Sequence, residues 1–267
     1  MKNIAGLKMK IETSQIIHFP TVDSPFLVLF KPAGIPSAPL FEGDSSILTA
    51  AIDSFPEIAL VHGRKEVEHG LVHRIDTETK GLVLIATTQQ SYDSLILAQK
   101  NGLFEKWYHA EIDELSDCGE KLASFPPLPS SLIKKISDSK NKKINFMLSS
   151  SFRPFGKNGR EVRPVTEFSG KAALKKAGSQ LYNTEISIDL EHDTALCHIS
   201  AGFRHQVRCH LAWCGFPVKE DLIYNPNARK DGIFWRKENS EGHNMKFCAC
   251  KISFPHPLSQ IPQVFQM

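Results

Sequence analysis

Short runs in which apolar residues recur at every second position, separated by turn residues, dominate this chain. QIIHF and FLVLF, split by the turn-rich PTVDSP, read as paired strands, and GLVLIA, LFEKWYHAEI, INFMLSS, REVRPVTEF, LYNTEISIDL and TALCHISA read as further strands. The last two form a hairpin across Glu191-His192-Asp193. Helical spacing is rarer. Ser45 to Phe55 reads as a helix capped by Ser45 or Ser46 and ended by Pro56, and Gln89 to Lys100 as one capped by Thr88 and closed by Asn101-Gly102. A third helix is expected directly after Ala201-Gly202, where Phe203, Val207, Leu211 and Cys214 would bury one face and leave Arg204 and Arg208 one turn apart on a neighbouring face. Hairpins and meanders with few helices between them imply an α+β fold, a large, mainly antiparallel sheet with flanking helices, over a doubly wound α/β fold.

LVHRIDTETKGLVLIATT, residues 71–88, is the most informative stretch. It reads as an apolar strand, a polar turn and a second strand, with Val72, Arg74 and Asp76 alternating against Leu71, His73 and Ile75. Gly81 can take positive φ where the turn Thr77-Glu78-Thr79-Lys80-Gly81 re-enters the sheet. Asp76, at the edge of that turn, has two readings. It hydrogen-bonds its own turn amides, or it is a catalytic carboxylate kept ionised by neighbouring cations. In LFEKWYHAEI, Lys106, Tyr108 and Ala110 alternate against Trp107, His109 and Glu111, and Tyr108 taken alone reads as a core or rim residue.

Length allows a substantial core: 267 residues, 41% hydrophobic and 23% charged, describe an ordinary globular chain. No run approaches the roughly 18 to 20 apolar residues of a membrane span, and the opening MKNIAGLKMKIETSQ lacks the apolar centre of a secretory signal. A cytoplasmic protein is expected, with its six cysteines reduced. Cys248 and Cys250, two apart on a strand, read as small buried side chains sharing a face, not as a metal site. A net charge of +3 permits a polyanionic partner, and its distribution says more. Between Ser131 and Arg163 nine Lys/Arg (134, 135, 140, 142, 143, 153, 157, 160, 163) face only Asp138 and Glu161. That stretch is a solvated loop or a phosphate-facing arm.

HRIDTETKG, from His73, resembles the HRLDxxTSG signature of the RluA-type pseudouridine synthases, and other stretches agree in the family's order. They are LFKPAGIPS at 29–37, KWYHA at 106–110, AGFRHQVRCHLAWCGFP at 201–217 and the closing FCACKISFPHP at 247–257. The resemblance implies a pseudouridine synthase fold with a central active-site cleft, an N-terminal tail over 1–12 and a catalytic domain over 13–267, with 113–163 an insertion or basic arm. Residues before about 13 are too few for the S4-type RNA-binding module of many relatives, which is expected to be absent.

The implied activity is isomerisation of specific uridines in structured ribosomal or transfer RNA. Such a reaction breaks the uracil N1 to C1′ bond, turns the base and joins C5 to C1′, with no electrons exchanged. No redox cofactor is therefore expected, and the resemblance implies no metal. By the resemblance Asp76 is the catalytic residue, Tyr108 the active-site tyrosine and Arg208 the cation paired with the aspartate. Arg74, Arg204, His205 and Lys31 would contact or position RNA, joined by Lys142, Lys143, Lys157 and Arg160 of the basic stretch. RNA is the expected partner, and the protein a monomer.

Departures from the family pattern are Ile75 for Leu, Lys80 for Ser, and VKEDLIYN at 218–225 for the more usual IxGDxxYG, which puts Glu220 where Gly is common. Two other functions compete. A non-catalytic RNA-binding protein on the same scaffold would not need Asp76, Tyr108 and Arg208 intact. A carboxylate glycoside hydrolase would need a second carboxylate facing Asp76, and Glu78, two residues away in the same turn, is the only one nominated.

Overall fold

The computed structural model describes residues 10–115, 124–138, 143–228 and 245–267. They fall into two compact units, one built from the chain up to Phe104 together with Ala249–Met267, the other from Glu105–Cys248.

The first unit contains strands β1 (Ile16–His18), β2 (Phe26–Lys31) and β3 (Lys80–Ala86) and helices α1 (Ile47–Ser54) and α2 (Gln89–Lys100). Its sheet runs β1-β2-β3-β9, with β10 (Pro262–Gln266) pairing β9 (Phe247–Pro255), the strand that starts in the second unit and ends in this one. β2 reads as an unbroken apolar run because both its faces are covered. Phe26, Val28, Leu82, Leu84, Tyr92, Leu95, Phe104, Ile252 and Phe254 form the core. Both helices begin where capping chemistry places them. The Ser46 hydroxyl accepts the Thr49 N–H at 3.1 Å while Thr49 Oγ1 accepts the Ser46 N–H at 2.8 Å. Thr88 Oγ1 accepts the Ser91 N–H, and α2 ends at Asn101-Gly102, with Gly102 at φ +73°. Gly81, at φ +135°, has no room for a side chain, since a Cβ there would lie 2.4 Å from the Ala249 carbonyl oxygen.

The second unit contains β4 (Glu105–Glu111), α3 (Ser130–Ser137), β5 (Lys143–Phe155), β6 (Glu161–Val165), α4 (Lys171–Leu174), β7 (Tyr182–Asp189), β8 (Thr194–Ile199) and α5 (Gln206–Trp213). Its strand order is β4-β8-β7-β5-β6. In both units every pair with a described register is antiparallel, as expected of an α+β chain built from hairpins. The β7–β8 hairpin turns at residues 190–193, with Asp193 left-handed at φ +51°. The stretch expected as an inserted arm is largely regular where it is described. Its basic residues are interleaved with Ile144, Leu148, Phe152 and Val162, which are buried and pin the chain into the sheet. α3, within the stretch that reads as least regular, has no side-chain cap and follows Pro129, so its start lacks the usual polar signal.

Three expectations need correction. Residues 71–76 do not form a strand: Leu71 bridges Ile85 and the Val72 N–H still bonds the Leu84 carbonyl of β3, but beyond Val72 the chain leaves the ladder for side-chain and loop partners, described below. Cys248 and Cys250 share a face of β9, but it is the less buried face, opposite Phe247 and Ala249. Cys197, Cys209 and Cys214 are buried, and Cys118 lies outside the described residues. The third concerns α5, which begins at Gln206, three residues later than expected, because His205 takes a left-handed φ of +58°. Phe203 and Arg204 precede it, and all eight helical residues are buried. Among the described residues no helix is long and apolar enough to cross a membrane.

Candidate active site

Asp76 sits, half-buried, on a loop that other segments hold in place atom by atom. Ser37 Oγ donates to the Ile75 carbonyl at 2.7 Å and accepts the Ile75 N–H at 3.1 Å. One residue beyond Asp76, the Thr77 carbonyl accepts the Gly34 N–H at 2.8 Å and Lys31 Nζ at 3.1 Å. Gly34 reaches this position at φ +83°. The Asp76 carbonyl accepts the Thr79 N–H at 3.0 Å, closing the turn expected here. Upstream, the Leu84 N–H donates to His73 Nε2 at 3.2 Å, and the Val72 N–H to the Leu84 carbonyl at 3.1 Å. The backbone on both sides of Asp76 is thus fixed by neighbours that lie far away in sequence.

Lys31 is the peg of this loop. It is fully buried, and its ammonium donates to the carbonyls of Ile35 (2.7 Å), Pro32 (2.9 Å) and Thr77 (3.1 Å). Burial lowers its pKa to about 8, against the opposing pull of the Asp76 and Glu78 carboxylates. Expected among the RNA-contacting residues, Lys31 is placed instead inside the fold, within the electrostatic reach of Asp76. Arg74 is exposed, and its guanidinium bonds Glu68 Oε1 at 3.0 Å.

In the second unit, Tyr108 is nearly buried on β4 and stacks on Phe247, ring centroids 5.1 Å apart and 10° from parallel. The alternation along β4 is as read from the sequence: Lys106, Tyr108 and Ala110 are buried, while His109 and Glu111 are exposed. Lys106 is a buried cation that periodicity placed but chemistry did not single out. Its Nζ lies 3.5 Å from where a Cβ on Gly202 would stand.

Arg208 is buried. Its Nε donates to Asp221 Oδ2 at 2.7 Å and its Nη2 to Oδ1 at 2.8 Å, a bidentate pair, with the Tyr224 ring 5.5 Å away. Burial by itself would raise the Asp221 carboxyl, but the Arg208 guanidinium and the N–H groups of Ile223 and Tyr224 hold it below its ordinary value. Asp221 and Tyr224 belong to VKEDLIYN, a stretch that had drawn notice only for Glu220. The acidic residue inside that departure was the available signal for Asp221.

Arg204 is exposed, and its Nη2 donates to the Gly159 carbonyl and, at 3.3 Å, to that of Glu161. Tyr224 Oη accepts the Val162 N–H at 2.9 Å and lies 3.1 Å from His205 Nδ1, within hydrogen-bond distance. Lys143, Lys157 and Arg160 are exposed, Lys143 with Asp189 Oδ2 at 3.5 Å, and Lys142 lies outside the described residues. Arg163, counted with the basic stretch, is buried and bonds Glu161 Oε2 at 2.8 Å.

A family model for RNA pseudouridylate synthase matches residues 25–213, and the chain belongs to that family. It is similar to the ribosomal large subunit pseudouridine synthase D of Neisseria meningitidis serogroup B, 24% identical over 244 residues that cover 89% of this chain and 54% of that protein. It is also similar to an uncharacterized RNA pseudouridine synthase of Bacillus subtilis, 26% identical over 89% of this chain and 67% of that one. The chain spans about half the length of the first of these relatives. The human RNA pseudouridylate synthase domain containing 1 has a similar fold, with a TM-score of 0.57 at 15% identity, over 97% of this chain and 86% of that one.

Proposed function

We propose that this protein isomerises uridine to pseudouridine in RNA, with Asp76 as the catalytic carboxylate. The observation that carries the reading is the Asp76 loop: a carboxylate held on fixed backbone, within the electrostatic reach of the buried Lys31 ammonium. Family membership supports it, since the matched span contains Asp76, Tyr108 and Arg208. In this reading Asp76 reacts with the sugar or the base of the target uridine, and Tyr108 offers a flat face to the freed uracil and assists removal of the C5 proton. Arg208, oriented by Asp221, supplies a fixed positive charge, and no metal or redox cofactor takes part.

Exposed Arg74, Arg204, Lys143, Lys157 and Arg160, with half-buried His205 and with Lys142, would guide the RNA backbone, while Lys31 acts through the loop it holds. The names of several relatives favour ribosomal RNA over transfer RNA as the substrate. We place the protein in the cytoplasm as a monomer.

The test is Asp76→Asn, nearly isosteric and on a half-buried loop. Pseudouridine mapping of RNA from cells carrying wild type, the variant or neither should show one or a few uridines modified only by wild type. Purified Asp76→Asn should bind RNA while turnover falls by about 10²-fold or more. Turnover near the wild-type rate would remove Asp76 from the chemistry.

A further inference from the structure

The β5–β6 hairpin holds a cation arrangement that the isomerisation does not need. Register sets Arg153 directly opposite Arg163, and both guanidinium groups lie over the Phe155 ring, at 5.0 and 4.2 Å from its centroid. Like charges directly opposite on a ladder repel. Arg163 is compensated, by Glu161 Oε2 at 2.8 Å and by the Val162 carbonyl, which accepts its Nη1–H at 2.9 Å. Arg153 is not. Its Nε is buried without a hydrogen-bond partner, and burial together with the Arg163 charge pulls its pKa below the usual guanidinium value. A buried donor with no acceptor and an uncompensated like charge are both relieved by one thing, an anion.

The rest of the hairpin suits an extended anion better than a compact one. Gly156, Asn158 and Gly159 all take positive φ (74°, 57° and 63°), folding a tight tip on which Lys157 and Arg160 are exposed. Arg204 adds a further cation there through its bonds to the Gly159 and Glu161 carbonyls. Beside the tip lies a groove of about 330 Å³, lined by Pro154, Phe155, Gly156, Gly159 and Lys176, near the lower end of the size of small-ligand sites. Glu161 is the only acid between residues 153 and 163, and Arg163 already engages it. Cations strung along a hairpin, not converging on one point, match a chain of phosphates.

We infer that the β5–β6 hairpin is an RNA-backbone clamp in which Arg153 donates its Nε–H to a phosphate of the RNA substrate. The inference rests on the RNA reading above and adds to it the residue that receives the strand. A free phosphate shares the same chemistry, and the test separates the two.

Arg153→Met keeps an aliphatic stem on Phe155 and removes the donors, whereas Arg153→Lys keeps the charge and removes the Nε–H. Binding of a short single-stranded oligouridylate is measured across a salt series for both variants and wild type, with thermal melting in the absence of RNA as the control for folding. Arg153→Met should bind more weakly and lose about 0.7 from the slope of log K against log salt, the share of one single-strand phosphate contact. Arg153→Lys should keep the slope and lose affinity. Without RNA, Arg153→Met should melt no lower than wild type, because the repulsion with Arg163 is gone.

Wild-type slope and affinity in Arg153→Met, or a lower melting temperature with binding unchanged, would show that Arg153 only braces Phe155. Displacement of the oligonucleotide from wild type by an equal concentration of inorganic phosphate would overturn the RNA assignment in favour of a free anion. Pseudouridine is assayed in the same samples. An active wild type with an unchanged Arg153→Met slope sinks the clamp alone, while an inactive wild type whose RNA binding depends on Arg153 sinks the catalytic reading and supports the clamp.

Discussion

Ser37 grips Ile75 by both of its backbone groups, donating to the carbonyl at 2.7 Å and accepting from the N–H at 3.1 Å, one residue before Asp76. Both bonds are buried. Ser37→Ala should therefore cost about 1–3 kcal/mol of stability, the penalty for leaving buried peptide groups without a partner, and should loosen the Asp76 loop. The expected result is a lower midpoint in urea and a fall in kcat larger than any change in RNA affinity. A variant with wild-type kcat would show that the loop needs no such hold.

Lys31 gives the protein opposite pH trends in activity and stability. All three N–H bonds of its ammonium are in use below its pKa of about 8, and a neutral amine has only two to offer. Deprotonation therefore frees one of the carbonyls of Pro32, Ile35 and Thr77 and removes the cation near Asp76. Turnover should fall with a midpoint near pH 8, and Lys31→Met should be slow at all pH and lack that limb. Stability moves the other way. The folded pKa is below the ordinary 10.5, so the unfolded chain binds the proton more tightly, and this group's contribution to folding rises with pH between about 8 and 10.5. A pH series of both turnover and urea midpoints checks the crossing trends.

Asp221→Asn should destabilise by about 3–5 kcal/mol, because it removes the carboxylate that the buried Arg208 guanidinium bonds with two of its nitrogens. The wild-type pair also implies an acid limb. The folded Asp221 pKa is depressed, so its stabilisation is complete above the unfolded value near 3.8 and is lost as pH falls through the lower folded value. Urea titrations down the acid range should show this limb in wild type and its loss in Asp221→Asn.

Glu220 is left-handed at φ +61°, the physical reason glycine is the more usual residue at that place in the family pattern. Glu220→Gly should raise stability by about 1 kcal/mol through relief of this strain. A lower unfolding midpoint would mean that the glutamate side chain contributes more than its backbone costs.

Much of the fold was legible because the signals are local. Thr88, Asn101 and Gly102 mark α2 at both ends, Ser46 starts α1, and alternation along β4 sorted Lys106, Tyr108 and Ala110 from their neighbours. The Asp76 turn was legible for the same reason, with Gly81 at the positive φ expected of it. What stayed hidden depends on partners distant in sequence. Residues 72–76 carry strand composition, yet their hydrogen bonds go to Ser37, to Leu84 and to the Lys31 loop, which no period in the local sequence records. The start of α5 was placed too early because nothing in AGFRHQ marks His205 as left-handed. Arg208 read as the polar side of an amphipathic helix because Asp221, thirteen residues later, is what makes its burial tolerable.

The pairing of β3 with β9, so close at Gly81 and Ala249 that no side chain fits, bears on how the chain is made. A ribosome releases residues 80–86 long before 249–267, and the whole of the second unit is synthesised in between. The unit that carries Asp76 therefore cannot complete its sheet until the last strands emerge, whereas the unit of residues 105–248 has all its strands available earlier. Nascent chains arrested before residue 249 should thus protect the β4–β8 strands from protease while leaving the Asp76 loop open to cleavage, and Asp76 would be among the last parts of the molecule to be set in place.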